Sequence, residues 1–198
     1  MQVVVFHSAI GLTDGVRALA EILRRDGHDV LVPDLYEGRT FATTPEGVAH
    51  RDAVGIETLL QRGLDAVAHL PNDIVTVGFS MGAALASFLA CTRPGARGVV
   101  LLHGAVPLAL LGAETWPRVP VSLHTSADDP FVASDDVASF VASVHESGAP
   151  CRHHVYPASG HLFTEPTAVE HDAASATLAF DRVRAFVQEL RDASRLAA

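Results

Sequence analysis

Residues 74 to 86 read Ile74-Val75-Thr76-Val77-Gly78-Phe79-Ser80-Met81-Gly82-Ala83-Ala84-Leu85-Ala86, and this stretch decides the fold. It begins as a run of residues typical of a buried strand and continues after Ser80 with small and apolar residues typical of a helix. No residues remain for a loop, so the serine must lie in a tight turn with a strained backbone. Gly78 and Gly82 allow the strand and the helix to approach without a Cβ clash. We therefore predict a strand-turn-helix unit that presents the Ser80 hydroxyl at one edge of a sheet.

Five further runs of β-branched and apolar residues occur along the chain, and longer segments with helical spacing separate them. This alternation predicts an α/β fold, with a mostly parallel sheet of about six strands and helices on both faces. The predicted strands are residues 2–6, 29–32, 74–79, 98–102, 119–124 and 152–156.

Helical periodicity predicts four further helices between and after these strands. The first is expected to begin at Asp14 as its N-cap and to end before Gly27. The others are predicted from apolar spacing around residues 56–67, 134–147 and 180–190. Residues 33–45 and 102–120 are predicted to be irregular. Both segments follow strands at their carboxyl ends, which is the edge where open α/β sheets bind ligands.

Length and composition narrow the class of protein. A chain of 198 residues with 48% hydrophobic side chains suits one core, so we expect a single domain over residues 1–198. The net charge of −9 and the lack of a basic cluster argue against nucleic acid or an anionic membrane as partner. Cys91 and Cys151 are too few for a disulfide framework or a zinc site, and we expect ordinary buried thiols. We find no signal peptide or membrane-spanning apolar run and expect a cytoplasmic protein.

The Ser80 hydroxyl needs a general base before it can act as a nucleophile at neutral pH. Among the 11 histidines, His161 has the expected position, because it follows the last predicted strand by a short loop and precedes the final helix. A structural role is the simpler interpretation for four other histidines in or beside strands: His103, His124, His153 and His154.

A carboxylate should orient the imidazole from the loop after the preceding strand. The segment from residue 126 to residue 132 offers two candidates, Asp128 and Asp129. The resulting order of serine, aspartate and histidine is the α/β-hydrolase order. Two backbone amides are candidates for stabilising an oxyanion: that of Met81 at the start of a helix, and that of Ala9 in the loop after the first strand.

Several short pieces of the chain resemble the dienelactone hydrolase family, and the resemblance spans nearly the whole length. The matching pieces are Ile10-Gly11-Leu12, Val32-Pro33-Asp34-Leu35-Tyr36, the stretch around Ser80, Asp129-Pro130-Phe131-Val132 and Gly160-His161. The resemblance implies a compact α/β-hydrolase fold and hydrolysis of small esters or lactones through an acyl-enzyme, without a metal or an organic cofactor. It also favours Asp129 over Asp128 as the acid of the triad.

Three positions depart from the family pattern. Characterised members have cysteine where this chain has Ser80, glutamate near the position of Ser8, and arginine where this chain has Glu165. A carboxylate at position 165 would repel an anionic lactone. We therefore expect a carboxylic ester hydrolase with a serine nucleophile and a preference for a neutral acyl group.

Residues from the long loops and from the end of the first strand are candidates for the pocket walls, although packing onto the core is an equally simple interpretation for them. These candidates are His7, Tyr36, Phe41, the run His103-Gly104-Ala105-Val106-Pro107-Leu108, and Trp116. Two other functions suit the same scaffold, a ligand-binding protein without catalysis and a thioesterase or perhydrolase. Whether the chain is a monomer or a homodimer stays open.

Overall fold

A computed structural model describes residues 1–196 of the chain. Within this range six strands form one sheet in the order β2-β1-β3-β4-β5-β6, and every neighbouring pair is parallel. The strands are β1 (Gln2–Phe6), β2 (Asp29–Leu31), β3 (Val75–Phe79), β4 (Gly98–Leu102), β5 (Val121–Asp128) and β6 (Cys151–Ser159). The predicted α/β class and the six-stranded parallel sheet are confirmed.

Helices cover both faces of the sheet, as predicted. Helices α1 and α6 pack on one face, and α3, α4 and α5 pack on the other. Successive residues of β4 therefore point into different cores: Val99 and Leu101 into one, and Val100 and Leu102 into the other. The helices are α1 (Asp14–Arg25), α2 (Thr44–Val54), α3 (Ile56–Val67), α4 (Met81–Thr92), α5 (Ser134–Glu146) and α6 (Ala173–Leu196), with a 3₁₀ turn at Leu108–Leu111.

Helix α2 was not predicted, because it has no apolar periodicity and buries only Thr44 and Gly47. A different signal marks its start. The Thr43 side chain accepts a hydrogen bond from the Glu46 amide, and the Glu46 carboxylate accepts one from the Thr43 amide. This reciprocal capping, with Pro45 in the first turn, is a recognisable helix start even without an apolar face.

Two predicted boundaries were wrong in ways that matter for the site. Helix α1 is capped at Thr13 rather than Asp14, and the Thr13 side chain makes no capping bond to its own helix. Strand β5 continues four residues beyond the predicted end at His124, up to Asp128. The sequence did not predict this extension, because its residues are mostly polar. They adopt strand geometry because they pair with β6.

Residues 1–196 contain no helix that is both long enough and apolar enough to cross a membrane. Cys91 and Cys151 are free and only partly buried, and burial raises the pKa of each thiol to about 11. Both thiols therefore stay protonated at neutral pH.

Candidate active site

Ser80 lies at the junction of β3 and α4 with a backbone that few residues adopt. Its φ is 50° and its ψ is −110°, and its amide donates to the Leu102 carbonyl oxygen of the neighbouring strand at 2.7 Å. The two flanking glycines are required by space. A Cβ atom at Gly78 would lie 2.2 Å from the Gly82 carbonyl oxygen, and one at Gly82 would lie 2.5 Å from the Phe6 carbonyl oxygen. The tight turn predicted from the sequence is therefore held by close backbone packing on three strands.

The side chains of Ser80, His161 and Asp129 form a continuous hydrogen-bonded chain. The Ser80 Oγ lies 2.6 Å from His161 Nε2, and His161 Nδ1 lies 2.8 Å from Asp129 Oδ2 and 3.0 Å from Oδ1. An ionised carboxylate can only accept, so Nδ1 carries the proton and Nε2 accepts from the serine hydroxyl. The His161 and Asp129 side chains are each 4% exposed. The arrangement thus places a serine hydroxyl against an imidazole whose tautomer is fixed.

Asp129, and not Asp128, faces the imidazole. Asp128 is exposed at the end of β5, and its carbonyl oxygen accepts from the Gly160 amide at 2.8 Å. Ser126 Oγ donates to the Gly160 carbonyl oxygen at 2.6 Å. These two bonds tie the end of β5 to the loop that carries His161, which brings base and acid together.

The Met81 and Ala9 backbones border the same cleft as Ser80. Met81 is the first residue of α4, where the amides have no acceptor within the helix. Ala9 lies in a tight loop after β1, in which the Gly11 amide donates to the Ser8 carbonyl oxygen at 3.1 Å. The two residues predicted to stabilise an oxyanion therefore lie at the same cleft as Ser80.

A sequence model of the dienelactone hydrolase family matches residues 1–191. The chain belongs to this family. Carboxymethylenebutenolidase of Rhodococcus opacus is 25% identical over 201 residues, covering 90% of this chain and 79% of that protein. The solved structure of a dienelactone hydrolase-like promiscuous phosphotriesterase from metagenomic libraries is 24% identical, with a TM-score of 0.78 over 96% of this chain and 86% of that one. The structural likeness supports the α/β-hydrolase fold.

The cleft of this dienelactone hydrolase family member has a volume of about 240 Å³. Its walls come from one side of α2, from the loop after β4 and from the segment after Asp129, and they include Val48, Arg51, Val106 and Phe131. A larger groove of about 840 Å³ lies on the other side of the Asp129 loop, against α5 and β6. Ser80 and His161 line the smaller cleft, so we take it as the candidate active site.

Four of the predicted wall residues line the cleft, namely His103, Gly104, Ala105 and Val106. His103 follows β4 with a φ of 65°, and its Nε2 lies 2.7 Å from Thr164 Oγ1. Its ring centroid lies 6.0 Å from that of His161. Burial lowers the pKa of His103 well below its usual value, and the nearby His161 lowers it further. A neutral ring therefore stands beside the base.

His7, Tyr36 and Phe41 lie behind the cleft and do not line it, which corrects the prediction. His7 is fully buried; its Nε2 accepts from the Leu35 amide at 3.0 Å, and its Nδ1 donates to the Ser8 carbonyl oxygen at 2.7 Å. The Tyr36 hydroxyl contacts the Met81 sulfur at 3.3 Å, and the Phe41 ring packs edge-on against Tyr36. Burial raises the pKa of Tyr36 to about 12. These residues support the loops of the site from inside.

Trp116 is also placed away from the cleft. Its indole nitrogen donates to the Val119 carbonyl oxygen at 2.9 Å, and its ring packs against Phe140 of α5. The side chain is 2% exposed. The loop after β4 therefore returns to the core before it reaches Trp116, which the sequence pattern did not reveal.

Glu165 does not face the substrate cleft, which removes the repulsion expected from the sequence. Its carboxylate is buried at the start of α1, where it accepts from the Thr13 hydroxyl and from the Gly15 amide at 3.2 Å. Thr167 Oγ1 donates to it at 3.0 Å. Glu165 thus caps α1 from another part of the chain and joins the loop of His161 to the segment that follows the Ala9 loop.

Proposed function

We propose that this chain is a serine hydrolase that cleaves small carboxylic esters or lactones through an acyl-enzyme intermediate. The observation that carries the proposal is the hydrogen-bonded chain from Ser80 Oγ through His161 to Asp129, with distances of 2.6 and 2.8 Å. Membership of the dienelactone hydrolase family supports a hydrolase, and the geometry supports serine as its nucleophile.

In the first step, Ser80 Oγ attacks the ester carbonyl carbon while His161 Nε2 takes the hydroxyl proton. Negative charge moves to the carbonyl oxygen, where the amides of Met81 and Ala9 stabilise it. As the tetrahedral intermediate collapses, the bond to the leaving oxygen breaks, and the imidazolium donates its proton to that oxygen. Asp129 holds the ring and offsets its positive charge throughout.

In the second step, a water molecule takes the place of the alcohol beside His161. The imidazole removes one of its protons, the hydroxide oxygen attacks the acyl carbon, and the proton then passes to the departing Ser80 Oγ. His103 stays neutral during this cycle because burial lowers its pKa. A second positive charge beside the imidazolium is thereby avoided, which favours proton uptake by His161.

The charge in the candidate cleft comes from Arg51 rather than from Glu165. The Arg51 guanidinium lies 2.7 Å from Asp52 Oδ1, so part of its charge is already compensated. The effect of the remaining Arg51 charge can be measured with two substrates, the neutral ethyl butyrate and the anionic monoethyl ester of succinic acid. Turnover of each is compared between the native chain and Arg51→Gln. We expect neutral esters to be cleaved by both proteins, and only the anionic ester to lose rate on substitution.

Two assays test the proposal: labelling with a fluorophosphonate followed by mass spectrometry, and turnover of p-nitrophenyl acetate. We expect the label on Ser80, and we expect Ser80→Ala to lose both label and turnover. Ser139→Ala is the matched control, because Ser139 is exposed on α5 and does not line the cleft.

Three outcomes would contradict the proposal. Undiminished turnover by Ser80→Ala would exclude this serine as the nucleophile, and a native chain that is neither labelled nor active would favour a ligand-binding protein. Faster turnover of an acetyl thioester than of the matched oxygen ester would instead indicate a thioesterase.

A further inference from the structure

A second cavity of about 180 Å³ adjoins the candidate cleft. Thr44 and Phe131 line both spaces, so these two residues lie between them. Most of the residues around the second cavity are apolar: Ile10, Ala42, Pro45, Phe131, Leu162, Ala168 and Val169. Nothing in the mechanism described above uses this cavity.

The second cavity lies on the imidazole side of the nucleophile. Leu162 follows the base directly in the chain, and Ile10 directly follows Ala9. The Phe131 ring centroid lies 5.1 Å from that of His161, and Phe131 is 52% exposed although large and apolar. The partition between the two spaces therefore stands next to the group that delivers a proton to the leaving oxygen.

The chemistry of acylation determines which part of an ester can reach this place. The leaving oxygen must lie within hydrogen-bond distance of His161 Nε2, so the alcohol part extends from the imidazole side. The acyl part then extends into the cleft beside Val48 and Val106. We propose that the second cavity binds the alcohol part of the substrate, and that this part is an uncharged alkyl group.

This assignment rests on the proposed serine hydrolase function and adds the class of leaving group. The mostly apolar lining favours an uncharged alcohol. The Glu170 carboxylate, which also lines the cavity and accepts from the Leu162 amide at 3.3 Å, disfavours an anionic one. Each methylene buried in an apolar site contributes about 0.8 kcal/mol, or about fourfold in kcat/KM. A substrate series should therefore gain up to about fourfold per carbon until the cavity is filled.

Two ester series measured by release of acid separate the two spaces. One series consists of acetates of methanol to octanol, and the other of ethyl esters of acetic to octanoic acid. Ala168→Phe and Ala42→Phe each fill the second cavity from a different segment of the chain, whereas Val48→Phe fills the cleft. In the first two variants, we expect the ratio of kcat/KM for hexyl acetate to kcat/KM for methyl acetate to fall by tenfold or more. Val48→Phe should lose the gain along the acyl series instead.

Ala49→Phe is the matched control, since Ala49 is exposed on α2 and lines neither space. Ala42 is exposed as well, so its variant should fold even if Ala168→Phe does not. If kcat/KM depends on alcohol length in the same way in the native and Ala42→Phe proteins, the second cavity does not bind the alcohol part. If Ser80 is still labelled by the fluorophosphonate in that case, the hydrolase proposal is unaffected. A chain that is neither labelled nor active would overturn both.

Discussion

Replacement of Glu165 tests whether this buried carboxylate holds the fold around the site or acts on the substrate. The carboxylate accepts from Thr13, Gly15 and Thr167, and the residue is 4% exposed. Hydrogen bonds to a charged group contribute about 1.5–3 kcal/mol, against about 0.5–1.5 kcal/mol for neutral ones. Glu165→Gln keeps the shape and loses the charge, so we expect a loss of about 1–2 kcal/mol of unfolding free energy.

Glu165→Ala removes every acceptor and leaves the partly buried Thr13 hydroxyl and the buried Gly15 amide without this partner. We expect it to lower the unfolding free energy by about 2–4 kcal/mol. Urea unfolding followed by circular dichroism measures both variants. Glu57→Gln is the control, because Glu57 is exposed in the first turn of α3 and should change stability by less than about 0.5 kcal/mol.

A second measurement separates this structural role from repulsion of the substrate. If Glu165 faced the ester, Glu165→Gln would raise kcat/KM for an anionic ester relative to its neutral analogue. We expect the ratio to change by less than about twofold, because the carboxylate points to α1. A tenfold rise in that ratio, or native stability in Glu165→Ala, would refute the reasoning.

Three further predictions follow from the structure. Asp129→Asn should lower kcat by about 10⁴-fold by disturbing the imidazole tautomer, whereas Asp128→Asn should leave kcat within about twofold; equal losses in stopped-flow assays would contradict the assignment. Gly78→Ala should prevent soluble expression or lower the unfolding free energy by more than about 3 kcal/mol, because its Cβ would lie 2.2 Å from the Gly82 carbonyl oxygen; unchanged urea unfolding would be inconsistent with that contact. Burial lowers the pKa of His124 to about 3, so between its usual value of 6.5 and about 3 the unfolded chain binds a proton that the folded chain does not. The resulting stability is fully present above pH 6.5 and is lost as the pH falls, by up to about 1.4 kcal/mol per pH unit, and His124→Gln should flatten this slope in urea titrations at pH 5 and 7.

Local sequence was sufficient for the sheet and for the serine turn. Parallel strands buried on both faces need continuous apolar runs, and these runs can be read without knowledge of their neighbours. Strands β1 and β4 have the predicted bounds for the same reason, since every residue of β4 and most of β1 are buried. The turn at Ser80 could also be predicted from the sequence, because only glycines fit where the strand and helix backbones are in contact.

The interior supports of the site depended on contacts between distant parts of the chain. His7 reaches Leu35, and Glu165 reaches Thr13, across 28 and 152 residues. No pattern of spacing indicates which polar group will meet which in a packed interior, so sequence reasoning placed both side chains at the substrate. A resemblance favoured Asp129 over Asp128, and pairing between β5 and β6 gives the physical reason for that choice.

The sequence by itself therefore determined the α/β class, the strained turn and the order of serine, aspartate and histidine along the chain. Tertiary structure alone decided which loop residues reach the cleft, which groups the Glu165 carboxylate contacts and how Phe131 divides the space beside His161. The physical reason is range: backbone geometry and apolar periodicity act over a few residues, whereas the partner of a buried charge and the shape of a cavity are fixed only when separate segments pack together.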